Sequence, residues 1–165
     1  VQIIQLETKI AAPPERCFLL SLSIDLHRES TAQTSEKAIA GVTSGLIGPG
    51  ESVTWQGRHF GFMLTQETLI SQYERPRCFQ DSMTRGMFRS FVHDHYFDEQ
   101  ADGSTVMRDV LRFAAPFGIL GVIVEKAVLR AYLRRFLEER NRLIKDVAEG
   151  DRSVWERYIG GAEPV

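Results

Sequence analysis

Cysteine is scarce in this chain. Cys17 and Cys78 are the only two. They form no short metal-ligand spacing and no dense framework, which argues against a disulfide-stapled miniature fold and a thiolate zinc site. They read as buried or half-buried thiols in a reducing compartment. Net charge is scarce as well, because 20 Lys and Arg face 22 Asp and Glu, leaving −2. Nucleic-acid binding rests on phosphate neutralisation, so no nucleic acid is expected as a partner. Long apolar runs are missing. The longest, Phe113 to Val124, contains Pro116 and two glycines and falls short of the ~20 residues a membrane-spanning helix needs. Val1 to Ile10 has no basic start followed by an apolar run, so no signal peptide and a cytoplasmic location are expected. Gly-Lys-Ser/Thr, a dinucleotide fingerprint, a Ser–His–Asp order and a Cys–His signature are all missing, which leaves nucleophilic catalysis unsupported.

What the chain does have is a clear order of periods. Its 165 residues suit one domain, and such a length buries roughly 70% of the surface exposed on unfolding. Gln2 to Ile10 alternates as a half-buried strand. Pro13 and Pro14 break it and open a short helix over 16–23, with a second helical piece near Asp25 to Glu29. Six further strands are predicted over 36–42, 51–61, 64–74, 77–86, 87–99 and 104–114, with Asp102-Gly103 as a hairpin signal. After Pro116 and Gly118 the period becomes helical, and Leu129, Leu133, Phe136, Leu137, Ile144 and Val147 predict one helix from about Leu120 to Glu149. At 1.5 Å per residue such a helix spans roughly 45 Å. Its arginines read as a solvated face. A run of strands followed by a helix argues for α+β with an antiparallel sheet. A curved sheet around one helix leaves space between them.

The element order, Ala11-Ala12-Pro13-Pro14-Glu15-Arg16-Cys17-Phe18, the segment Gly48 to Trp55, His59-Phe60-Gly61 and His93-Asp94-His95-Tyr96-Phe97 resemble the START-like proteins of the SRPBCC, polyketide cyclase/dehydrase and lipid-transport type. The resemblance covers about residues 2–149. It implies a helix-grip fold: a curved seven-stranded antiparallel sheet wrapped around a long C-terminal helix, with two short helices after the first strand and a cavity inside. The ligand-binding domain is then 1–150. The tail, 151–165, lies outside the resemblance, and its Val154, Trp155, Tyr158 and Ile159 suit docking on the surface. Gly45, Gly48 and Gly50 match in position the glycine-rich loop of birch-pollen-allergen-like members. They read as a hairpin connection rather than an anion cradle.

Strand parity selects the candidate site. Trp55 and His59 share one face, Phe79, Asp81 and Met83 another, Phe91, His93 and His95 a third, and Met107 and Asp109 a fourth. All are assigned to the interior, and within the implied fold they become ligand-binding residues. Three readings of the histidines stay open: they hydrogen-bond a ligand's polar end, bind a metal with a carboxylate, or form a satisfied internal network. Burying an unpaired polar group costs roughly 2–7 kcal/mol, so partners must exist. No metal and no other cofactor is expected, because His-x-His lacks a third ligand at fixed spacing. The leading function is binding or carriage of a small hydrophobic molecule of lipid, polyketide or aromatic type. The alternative is a cyclase or dehydratase in which His59, His93 or His95 abstracts a proton and Asp109 or Asp81 sets its tautomer. An interaction module using the Trp155–Tyr158 tail or the basic helix face is a third class. Phe117 to Val124 reads as the first turns of the long helix, or as a mouth or membrane-touching edge.

Overall fold

The computed structural model describes residues 1–115 and 128–160. The elements are β1 (Gln2–Ile10), α1 (Pro14–Ser21), α2 (Ile24–Ser30), β2 (Lys37–Gly41), β3 (Ser52–His59), β4 (Phe62–Glu74), β5 (Cys78–Arg85), β6 (Ser90–Glu99), β7 (Thr105–Ala114), α3 (Arg130–Ala148) and α4 (Arg152–Ile159). The N-terminal part of the predicted long helix, including Phe117 to Val124, lies outside the described residues. Proline stands at the first position of α1, where its missing N–H costs nothing. Ser23 caps α2 by accepting from the Leu26 N–H at 3.3 Å.

The seven strands pair antiparallel in the order β1-β7-β6-β5-β4-β3-β2. Register irregularities at Ala38/Ala40, Glu67/Thr68 and Ile70/Gln72 sit toward the β2 side of the sheet, where they bend the strands. The glycine-rich turn is held by α2, by β4 and by its own Glu51. Gly45 N donates to Asp25 Oδ2 at 2.8 Å, Gly48 N to Glu51 Oε2 at 2.7 Å and Gly50 N to Ile70 O at 3.0 Å. Two of those glycines have positive φ, so the turn uses glycine for its backbone shape, and its N–H groups already have acceptors.

The apolar interior comes in two blocks. One surrounds α1, where Phe18 meets Tyr73, Phe79 and Phe97 edge-on at 5.2, 5.6 and 5.5 Å. It also takes in Met107, Ile144 and, from α4, Tyr158 and Ile159. The other joins Ile4, Leu111, Phe113, Leu129, Leu133 and Leu137. Along β7 the blocks are separated by Asp109, and along α3 by Arg140 and Asn141, all buried. A polar layer thus crosses the core at one level. The predicted solvated face holds for Arg130, Arg134, Arg135 and Arg142, which are exposed, but not for Arg140, which is 6% exposed and belongs to the interior. Phe136, predicted as helix core, is half-buried.

Candidate ligand cavity and its two polar groups

Between the sheet and the helices lies a cavity of about 190 Å³. Val53, Ile70, Phe79, Phe91, Leu133 and Phe136 are among its apolar walls. Register builds its first polar group. Across β5 and β6, Asp81 stands opposite His93 and Phe79 opposite His95. Across β6 and β7, His95 stands opposite Asp109 and His93 opposite Leu111. Directly paired residues share a face, so two carboxylates flank two imidazoles.

The hydrogen bonds run along the diagonals. His93 Nε2 donates to Asp109 Oδ1 at 2.9 Å, and His95 Nε2 donates to Asp81 Oδ2 at 2.8 Å. His95 Nδ1 lies 3.0 Å from Asp109 Oδ1, off the line of a hydrogen bond. His93 Nδ1 is 3.8 Å from Asp81 Oδ2. Asn141 Nδ2 donates to Asp109 Oδ2 at 2.6 Å, and Arg140 approaches Asp109 Oδ1 at 3.5 Å. Phe79 stacks on the His95 ring at 4.1 Å.

These surroundings set the charges. Burial works against an ionised Asp109, but the bond from His93, the His95 ring beside it and the charge of Arg140 outweigh it and hold the carboxyl well below the usual range. Asp81 is lowered in the same way, its burial offset chiefly by His95 and His93. Burial also opposes charge on His95, yet the Asp109 and Asp81 carboxylates prevail and raise its pKa. His93 moves the other way, lowered by burial and then by the neighbouring His95. His95 therefore favours the imidazolium. His93 favours the neutral ring with its proton on Nε2 and its Nδ1 lone pair unprotonated.

The second polar group sits on other elements. His27 Nε2 from α2 and His59 Nε2 from β3 each lie 3.1 Å from an oxygen of Glu36. His59 Nδ1 is 2.7 Å from Tyr132 Oη on α3. Since the carboxylate only accepts, a neutral His59 carries its proton on Nε2 and accepts from the Tyr132 hydroxyl at Nδ1. Burial would raise the Glu36 pKa, but bonds from His27 and His59 bring it down to about 2. Gly57 makes the approach possible, because a Cβ there would stand 2.5 Å from Glu36 Cγ. Trp55 covers His27 with ring centroids 4.2 Å apart.

Of the sequence-predicted residues, Trp55, His59, Phe79, Asp81, Phe91, His93 and His95 line the cavity. His59 does not join His93 and His95 in one polar end, since its bonds go to Glu36 and Tyr132. Asp109 is not among the lining residues and supports the histidines from beneath. Met107 is fully buried in the block around α1, with its sulfur 3.8 Å from Ser21 Oγ. Met83 shares a face with Asp81 but its sulfur folds over Gly86, where a Cβ would be 2.5 Å away. Sequence reasoning missed His27, Glu36, Tyr132, Arg140 and Asn141. Arg140 alone left a signal, because it falls on the apolar stripe between Leu137 and Ile144.

Asp81, His93 and His95 also present ligand atoms within 4.8 Å of one another. The expectation of no metal rested on the lack of a third ligand, and strand pairing supplies one that spacing does not reveal. Among the described residues no helix is long and apolar enough to cross a membrane.

No protein-family model and no curated protein matches the chain. Solved structures do. A START superfamily protein from Mycobacterium smegmatis is 12% identical, with 89% of this chain and 97% of the other covered and a TM-score of 0.66. Ginseng major latex-like protein 151 from Panax ginseng is 14% identical over 90% and 98%, with a TM-score of 0.65. TTHA0849 from Thermus thermophilus is 16% identical over 87% and 97%, with a TM-score of 0.64. With the seven-stranded sheet and the C-terminal helix, these likenesses establish that the chain has the helix-grip fold of START-like proteins.

Proposed function

We propose that the protein binds a small, mainly apolar molecule bearing at least one oxygen, held in the cavity between the sheet and α3. The observation that carries this reading is a cavity of about 190 Å³ with apolar walls and two polar groups facing it. An engineered apolar cavity of about 150 Å³ accepts benzene, so this volume suits a one-ring or short-chain ligand better than a whole lipid. The Asp81–His93–His95 group orients the ligand's oxygen. His93 Nδ1 accepts from a hydroxyl, and His95, bonded to Asp81, holds that carboxylate beside it. The walls supply affinity through buried area.

Native mass spectrometry of freshly purified protein, followed by extraction, tests the reading. Titration calorimetry with small phenols and aryl ketones gives a second measure. The expected result is one ligand per chain, with weaker binding in Phe136→Trp, which fills the cavity. Failure of every such compound to bind at millimolar concentration, with unchanged heat in both proteins, overturns it.

One observation favours a catalytic second reading. Neutral His93, with its Nε2 proton on Asp109 and Nδ1 toward Asp81, has the arrangement of a general base whose tautomer a buried carboxylate sets. That arrangement suits proton abstraction beside a carbonyl, as in a cyclase or dehydratase. Deuterium uptake at the α-carbon of a bound ketone, abolished in His93→Gln, tests it, and uptake equal in both proteins rejects it.

A further inference from the structure

We propose that Asp81, His93 and His95 bind a divalent first-row transition-metal ion at the cavity wall, leaving coordination positions that open into the cavity. The donor set is two imidazoles and one carboxylate, which suits zinc, iron, nickel or copper rather than magnesium or calcium. The three ligand atoms already converge. Asp81 Oδ2 is 2.8 Å from His95 Nε2 and 3.8 Å from His93 Nδ1. Ligand atoms at ~2.0–2.1 Å from a tetrahedral ion stand ~3.4 Å apart, and the two Asp81 distances bracket that spacing while all three ligand atoms lie within 4.8 Å of one another. Asp81 is the least buried of the three and faces the cavity.

The layer behind the ligands has the form that metal sites need. An imidazole bound through one nitrogen is oriented by a carboxylate at the other. Here one carboxylate stands behind both rings: Asp109 accepts from His93 Nε2 and lies 3.0 Å from His95 Nδ1. Asn141 and Arg140 hold Asp109 in place. The ion belongs on the Asp81 side, because Asp81 lines the cavity, whereas Asp109 does not and its oxygens already accept from His93, Asn141 and Arg140. Strand register fixes the arrangement, since β5, β6 and β7 bring the residues together through pairs within a continuous ladder.

Charge then indicates what the open positions take. Metal binding releases the His95 Nε2 proton to solvent, so two carboxylates and one guanidinium then sum to one negative charge, and a dication makes the group positive. Arg140, itself on the cavity wall, adds its charge beside the metal. A carboxylate, phenolate or enolate oxygen neutralises the excess, so the ligand is an anionic oxygen donor with a small apolar body. The metal itself does not depend on the ligand-binding reading, and its titration uses no organic ligand.

The experiment begins with full-length protein stripped by a chelator and titrated with Zn²⁺, then with Co²⁺ monitored by visible absorption. The expected result is one equivalent bound with a dissociation constant in the micromolar range or below, and a cobalt spectrum of low-coordinate form. Asp81→Asn should weaken binding at least tenfold, and His93→Ala at least a hundredfold. His93→Ala carries the risk of unfolding, whereas Asp81 sits at the wall and its substitution reads out in a folded chain. Absence of stoichiometric binding overturns the proposal, and so does binding that Asp81→Asn leaves unchanged. Benzoate should shift the cobalt spectrum, and a spectrum unmoved by millimolar benzoate rules out the anionic-oxygen ligand.

Discussion

Replacing Glu36 by glutamine isolates one charge in the second polar group. In the folded protein its carboxyl is lowered from an ordinary 4.5 to about 2 while remaining mostly buried. Each factor of ten in proton affinity is worth about 1.4 kcal/mol, so the ionised carboxylate contributes about 3 kcal/mol near neutral pH. The sign follows from the lowered value. The contribution is present in full above the unfolded carboxyl's 4.5 and is lost as pH falls through the folded value of about 2. Glu36→Gln keeps the shape and one acceptor oxygen but removes the charge. In a chain of this size, about 3 kcal/mol corresponds to a fall in Tm of roughly 6–12 °C. Chemical denaturation of both proteins at about pH 7 and about pH 3.5 is the assay. The gap between them should narrow by about 1.4 kcal/mol at the lower pH, because the unfolded wild-type carboxyl is then mostly protonated and the folded one is not. A gap that stays constant or widens would refute the assignment of the stabilising charge to Glu36.

Further outcomes follow from the same geometry. Asp109→Ala should cost about 3–5 kcal/mol in denaturant unfolding, because it strands the Arg140 charge in the core. Asp109→Leu with Arg140→Met should recover part of that loss, and a double variant no more stable than Asp109→Ala would refute this account. Gly57→Ala should destabilise by about 1–3 kcal/mol through the clash with Glu36 Cγ, and an unchanged Tm would show that Glu36 moves aside at no cost. Trp55 lines the cavity and Trp155 does not, so in Trp155→Phe a bound ligand should change the tryptophan emission; a spectrum blind to a ligand seen by calorimetry would place the ligand elsewhere.

The strands, the short helices and the order of the elements were legible because they follow from local period. Alternation puts side chains on one face whatever the strand pairs with, and proline opens α1 by its own covalent shape. The inward direction of Trp55, His59, Phe79, Asp81, Phe91, His93 and His95 came from the same parity. Parity has no reach along the strand pair, however. It names the face, and the register decides which residues are neighbours.

Partner choice was therefore left to the tertiary structure. Pairing of β5 with β6 and β6 with β7 put Asp81 against His93 and His95 against Asp109. The same pairing left Met107 in solid core and Asp109 beneath the rings. His59 found Glu36, sited just before β2, and Tyr132, on a helix far along the chain, and nothing in the spacing of these three predicts their meeting. Arg140 fell under the reading of the helix arginines as one solvated face. It becomes an interior residue because Asp109, opposite it across the core, offers a carboxylate that no neighbour in sequence supplies. Local chemistry determined which residues turn inward. Long-range packing, which sets the distances that hydrogen bonds and charges respond to, decided what they do there.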